Sequence, residues 1–522
     1  MTGVQEDQGK VLEFLALPKA YPDRPRTVER IETHASVVFL AGDFAYKVKR
    51  AVKYPFLDFS TLEKRRLAAE NELRINRRTA PGLYLDVLPV TLGPQGRLAL
   101  GGTGEVVEWV LRMRRFDQRC LYERMAEEGR LELAAMRPLA ETIAAFHADA
   151  ARSLTVGQWM RQLGGILDEH ERMLGARPDL FPAEEAKGLI AASRAAFADL
   201  LPLIESRSRG GFVRHCHGDL HLRNIVEIEA KPVLFDAIEF DDALATIDVL
   251  YDLAFLVMDL GKRKLAGHAN AVLNAYLDAD GSSGNLLGLA ALPLFLSLRA
   301  MIRAKVETLR AGAAEEARDE AEGEARNYFA LARAFLQVPD RPKLIAIGGL
   351  SGSGKSAVAA AISPRLGAFP GAVHVRSDVE RKRLFGVSPE VRLPAEAYLA
   401  GISDEVYAIC RKRARFALRS GRTVMVDAVH AKPEERAAIE ALAAEEGVPF
   451  TGLWLEAPRE VMRARVAKRL HDASDATPSV VDEQLRYEIG PQNFELIDAG
   501  LPLAQVAHAA LEAIGAAPNR TA

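Results

Sequence analysis

Apolar and polar positions alternate differently in the two halves of the chain. In the second half, the short apolar runs Lys343–Ile347, Ala372–Arg376, Thr423–Val426 and Gly452–Leu455 are separated by segments of helical period. Strands alternating with helices predict a parallel sheet with crossover helices. The first half opens with Val37–Leu40 and Phe44–Lys49 on either side of Ala41-Gly42-Asp43, the pattern of a hairpin. A long polar helix over Leu62–Arg78 and strands at Val87–Val90 and Val106–Met113 follow, and beyond Leu131 the pattern is almost wholly helical. The run Leu286–Leu298 is too short to span a bilayer, is closed by Arg299 and reads as a buried helix. A helical Tyr328–Leu336 gives way to Val338-Pro339-Asp340-Arg341-Pro342, a proline-bracketed connector that predicts domains over 1–337 and 338–522.

A length of 522 residues calls for two to four domains, and 49% hydrophobic with 27% charged residues supplies ample apolar surface for cores. The net charge of −3 argues against a general nucleic-acid-binding surface. Cys120, Cys216 and Cys410 are far apart and form no CxxC or Cys/His cluster, so neither a zinc site nor a disulfide framework is implied. With a mixed polar and acidic start, the expectation is a cytoplasmic protein with no membrane association.

Residues Gly349–Ser356 fit the Walker A pattern GxxxxGK[ST] at every fixed position, between an apolar run and a helical one. Such a loop curls backbone N–H groups around phosphate oxygens at a helix N-terminus. Gly349, Ser351, Gly352, Ser353 and Gly354 would form the cradle for ATP, Lys355 would neutralise the phosphates, and Ser356 would ligate Mg²⁺. Asp378, after the second strand, is the candidate base for an acceptor hydroxyl, and Arg381, one turn on, could clamp an anionic acceptor. The alternative for Arg381 and Lys382 is a solvated helix face. Asp427 closes the third strand and could serve the metal. Arg465 and Arg469 share a helix face, with Arg463 offset.

The first half carries a second candidate site. In His217-Gly218-Asp219-Leu220-His221-Leu222-Arg223-Asn224, four residues separate Asp219 from Asn224, and Asp236 closes the short strand that follows. That is the interval of a protein-kinase catalytic loop. The segment resembles the aminoglycoside phosphotransferase branch of the protein-kinase-like fold. The resemblance implies that Asp219 is the catalytic base, that Asn224 and Asp236 hold Mg²⁺, that His217 orders the loop and that Asp252 braces it. Lys47 would hold the ATP phosphates with Glu72 as its acidic partner. Lys49 lies on the same strand face as Lys47, and Glu70 on the same helix as Glu72, so both choices stay open.

The segment Ser351–Arg469 resembles gluconate-kinase-like and zeta-toxin-like kinases, in which lid arginines such as Arg465 and Arg469 close over ATP, and not AAA+ or motor ATPases. The whole chain resembles a bacterial two-domain family: an α+β kinase-like domain fused to an α/β phosphate-loop domain with a parallel sheet. The resemblance implies ATP-dependent phosphoryl transfer to a small-molecule hydroxyl. Alternatives are a nucleotide-sensing role for one domain, antibiotic modification, and a nucleotide or nucleic-acid end as acceptor. For the last, the basic stretch Arg411–Arg415 is the single candidate channel, a solvated helix face being the competing reading.

Overall fold

The computed structural model describes residues 7–33, 35–54, 57–313, 318–337, 341–468, 473–491 and 493–515. Two compact units are present. One comprises Met1–Glu132, Phe146–Leu154 and Val213–Asp252; the other comprises Leu133–Ala145, Thr155–Phe212 and Leu253–Ala522. Residues 338–340 of the expected connector lie outside the described residues.

The first unit is built on an antiparallel sheet in the order Val28–Glu32, Ser36–Ala41, Phe44–Lys49, Glu105–Arg114, Tyr84–Leu92, Leu98–Leu100. The expected hairpin turns at Gly42 and Asp43, with Gly42 at φ +59°, a conformation that costs glycine little. Alternation along Phe44–Lys49 divides the faces. Tyr46 and Val48 join a cluster with Val37, Phe39 and Val110, while Ala45 packs with Leu40, Leu111 and Met113. Lys47 and Lys49 therefore project on the Ala45 face. The polar helix runs from Leu62 to Asn76, with the Thr61 hydroxyl accepting from the Lys64 N–H. Arg65, Ala69, Glu72 and Ile75 are buried, one stripe at helical spacing, and Arg65 is anchored on buried Glu108 at 2.9 Å.

The second unit holds a wholly parallel sheet in the order Val373–Arg376, Val424–Asp427, Leu344–Gly348, Phe450–Glu456, Glu495–Asp498. The fifth strand has no counterpart in the sequence reading, because only Ile497 of its four residues is buried. The arrangement is thus α+β in the first half and α/β with a parallel sheet in the second. The apolar run at 286–298 belongs to a longer helical stretch, Ser283–Gly312. That stretch is longer than the run read from the sequence and is long and apolar enough to cross a membrane, but 78% of its most apolar window is buried in the fold, in keeping with the buried-helix reading.

Candidate active sites

In the first unit, the lysine strand, the polar helix and the loops after His215 and Leu234 converge. Lys47 Nζ lies 2.7 Å from Glu72 Oε1 and 3.1 Å from Asp236 Oδ1. Lys49 Nζ lies 2.6 Å from Glu72 Oε2 and 2.5 Å from Glu239 Oε1. Glu72, fully buried, thus holds both lysines, and only Lys47 reaches Asp236. Glu70 points elsewhere, to Arg66 at 2.7 Å. Burial works against charge on Lys47, yet Asp236, Glu72 and Glu239 hold it well above the usual lysine value. Burial likewise opposes ionisation of Glu72, but the two lysines hold its carboxyl below the usual range.

The loop that begins at His217 is ordered by a buried carboxylate. Asp252 accepts from the backbone N–H of His217 at 3.1 Å and of Gly218 at 2.8 Å, and His147 Nε2 lies 3.1 Å away. Gly218 adopts φ +83°, and a Cβ there would lie 2.9 Å from Ile238. Burial works against charge on the His217 ring, and its Nε2 stands 3.0 Å from the Phe235 carbonyl, which can only accept, so that nitrogen is the donor. Asn224 Nδ2 donates to the Asp219 carboxylate and carbonyl, both at 2.9 Å. Asp236 sits in left-handed backbone at φ +58°, and its N–H donates to the Tyr84 hydroxyl at 3.1 Å. The next N–H, of Ala237, donates to buried Asn76 at 2.8 Å, so the helix that carries Glu72 also fixes the turn after Asp236.

In the second unit, the phosphate loop follows the central strand. Gly349, Gly352 and Gly354 all have positive φ, and a Cβ on Gly349 or Gly352 would lie 2.5 Å from the carbonyl oxygen of Leu455 or Met462. Lys355 Nζ donates to the carbonyls of Gly349 at 2.8 Å and Leu350 at 3.1 Å. The Ser356 hydroxyl donates to Asp427 Oδ2 at 2.5 Å, and Arg376 approaches the same hydroxyl at 3.5 Å. Buried Ser353 belongs to the loop, and the Ser351 N–H donates to Gln484 Oε1 at 2.7 Å. Burial opposes ionisation of Asp427, but His374, 3.4 Å away, with Lys355 and Arg376, holds its carboxyl below the usual range. Burial pushes half-buried Asp378 up, with Asp427 adding to the effect against Arg376 and Lys355.

The arginines are more committed than their sequence suggests. Arg465 donates to the carbonyls of Ser353 at 3.0 Å and Ala499 at 2.9 Å, which ties the phosphate loop to the turn after the fifth strand. Arg463 is held by Asp482 and the Pro478 carbonyl, and Arg469 lies outside the described residues. Arg381 and Lys382 are buried rather than on a solvated face. The Arg381 guanidinium donates to the Ala397 carbonyl at 2.6 Å and stacks over Tyr398 at 4.8 Å. Lys382 donates to Asp475 at 2.6 Å. In the basic stretch, Arg413 is buried on Glu380 at 2.8 Å, which corrects the solvated-face reading there, and Arg415 pairs with Glu445 and Glu446.

Glu239, Gln484 and Tyr84 were not singled out from the sequence. Only Glu239 carried a signal, as an acid three positions after Asp236.

Residues 91–287 match the family model described as a phosphotransferase enzyme family, and residues 344–488 match one described as an AAA domain. The second match falls on the phosphate loop and the parallel sheet around it, the part of the chain that the sequence assigns to a phosphate-loop kinase-like domain. The first matched segment carries Asp219, Asn224, Asp236 and Asp252 but not Lys47 or Glu72, and the second carries the phosphate loop, Asp378 and Asp427. Over 467 residues the chain is 29% identical to uncharacterized proteins of Mycobacterium tuberculosis and Mycobacterium bovis, covering 86% of this chain and 88% of theirs. Among solved structures, it is similar to a choline/ethanolamine kinase family protein from Mesorhizobium loti (17% identity, TM-score 0.39, 63% of this chain and 95% of that one). It is also similar to a gluconokinase from Sinorhizobium meliloti (22% identity, TM-score 0.25, 33% of this chain and 92% of that one).

Proposed function

We propose that the chain is an ATP-dependent phosphotransferase with two ATP sites, one in residues 1–337 and one in residues 338–522, each passing the γ-phosphate to a hydroxyl of a small-molecule acceptor in the cytoplasm. The observations that carry this reading are the contact of Lys47 with both Glu72 and Asp236 and the hydrogen bond by which Asn224 holds Asp219. Lys47 would hold the ATP phosphates, and Asp219, with 38% of its side chain exposed, would accept the acceptor's proton. At the second site, loop N–H groups and Lys355 would cradle the phosphates while Asp378 takes the proton. Burial raises its affinity for protons above that of an ordinary carboxylate, the direction that favours a general base.

The donors at both sites are hard oxygens: the Asn224 amide and Asp236 carboxylate at one, the Ser356 hydroxyl and Asp427 carboxylate at the other. Such sets fit Mg²⁺, which when bound supplies neutralisation of phosphate charge.

The test is transfer of isotopically marked γ-phosphate from ATP into a bacterial small-molecule extract, comparing wild type with Asp219→Ala and Asp378→Ala by mass spectrometry. Distinct labelled products, each lost in one variant, are expected. If wild type labels nothing beyond inorganic phosphate, the small-molecule reading fails. The alternative in which one site senses nucleotide and does not transfer predicts products lost in only one variant.

A further inference from the structure

The edge of a sheet presents unpaired N–H and C=O groups that must be covered or solvated. Val373–Arg376 is an edge strand of the parallel sheet, and it carries His374 and Arg376 toward the phosphate loop. Its inward groups pair with the neighbouring strand, Val373 N–H donating to Thr423 at 2.9 Å. Its outward groups belong to the alternate residues, His374 N–H and Ala372 C=O. Both are taken by side chains of the helix Ala266–Asp280, which lies in sequence on the kinase-like side of the connector. Asn274 Oδ1 accepts from the His374 N–H at 2.8 Å. Asn270 Nδ2 donates to the Ala372 carbonyl at 3.0 Å, and Asn274 Nδ2 reaches the same oxygen at 3.2 Å. The two asparagines are one helical turn apart and so share a face, and the Asn274 amide is further fixed by Asn270 Oδ1 at 3.1 Å.

This junction is built, not incidental. Asn270 is 4% exposed, and Arg383 and Arg413 donate to the carbonyls of Asp278 and Gly281 farther along the same segment, at 2.7 and 2.9 Å. From the residue whose N–H Asn274 accepts, the His374 imidazole extends to Asp427, which in turn accepts from the phosphate-loop Ser356. A contact on the outer edge is thus separated from the candidate metal ligand Asp427 by one residue, His374.

We infer that Asn274 is a positioning residue for the phosphate-loop site: its carboxamide stands in for a sixth strand on the sheet edge and, through the backbone of His374, sets where the imidazole meets Asp427. The inference rests on the reading of that site as one of transfer. It also means that the phosphate-loop fold is completed by residues 266–280, beyond the boundary drawn at 338.

The experiment uses the full chain with Asp219→Ala to silence the first site, and compares Asn274→Ala, His374→Ala, the double variant and Lys355→Ala as the zero. Hydrogen exchange of peptides covering 372–378 is followed by mass spectrometry, and the Mg²⁺ dependence of Lys355-dependent ATP turnover is titrated. Loss of one buried hydrogen bond predicts about tenfold faster exchange at His374 in Asn274→Ala. It also predicts a rise of about three- to tenfold in the Mg²⁺ needed for half-maximal turnover, with the double variant no worse than His374→Ala alone. Faster exchange with unchanged Mg²⁺ dependence, or effects of the two substitutions that simply multiply, would overturn the positioning role. Exchange that does not change overturns the edge completion itself. Absence of Lys355-dependent turnover in the parent defeats the transfer reading and the positioning role with it, while the exchange result still decides the edge.

Discussion

Replacing Lys49 by methionine keeps the aliphatic stem and removes the charge, which separates the two lysines that share Glu72. Lys49 is 5% exposed, Glu72 not at all and Glu239 11%, so Lys49→Met strips a cation from between two buried carboxylates. One positive charge, on Lys47, then faces Glu72, Glu239 and Asp236. Breaking a buried pair from one side costs about 3–5 kcal/mol, because the remaining charge is left without compensation. At roughly 2–4 °C per kcal/mol for a unit of this size, the unfolding temperature should fall by about 6–20 °C. Lys47→Met should cost less stability, since its side chain is 17% exposed and Glu72 keeps Lys49, but it should abolish turnover at this site. Adding Glu239→Gln to Lys49→Met should restore part of the loss. The assay is calorimetric unfolding together with ATP turnover in a Lys355→Ala background. If Lys49→Met unfolds like wild type but loses turnover, while Lys47→Met keeps it, Lys49 is the phosphate-facing lysine and the reasoning fails.

Three other outcomes are expected. Asp252→Asn leaves fewer acceptors for the His217 and Gly218 N–H groups and His147, a loss of about 1–3 kcal/mol; faster amide exchange at 217–218 and lower turnover at the first site should appear together. Because burial raises Asp378 and only its ionised form accepts a proton, turnover at the phosphate loop should rise with pH along a limb lying above the ordinary carboxylate value of about 3.9, and Asp378→Asn should remove that limb. Glu72 is held low by its lysines, so its contribution to stability is full above its unfolded value of about 4.3 and is lost as pH falls through its lowered folded value; calorimetry of Glu72→Gln should show a flatter acid limb than wild type.

Features set by neighbours in sequence were legible. The phosphate loop is contiguous, the hairpin is fixed by Gly42 and Asp43, and the shared face of Lys47 and Lys49 follows from the period of a strand. The choice of Glu72 over Glu70 needed only the helix face turned toward those lysines. What escaped depends on contacts that no local pattern encodes. Glu239 meets Lys49 across 190 positions, and Gln484 meets Ser351 across 133. Arg381 and Lys382 occupy a stretch so charged that it reads as surface, yet the chain supplies the Ala397 carbonyl and Asp475 to bury them. The fifth strand lacks an apolar run because it is an edge with one buried side chain.

The interleaving of the two compact units bears on how the protein is made. During synthesis the strands from Val28 to Arg114 emerge first and carry Lys47 with them, but the loop bearing Asp219 and Asn224 and its brace Asp252 follow only after Thr155–Phe212, which belongs to the other unit. The first site therefore cannot close until Asp252 has left the ribosome, and until then Lys47, Lys49 and Glu72 form a charged cluster without Asp236 and Glu239. Domains usually fold as units in the order of their synthesis. Here the sheet of the first unit is complete by Arg114, but its site waits for the segment Val213–Asp252, which follows two stretches of the other unit.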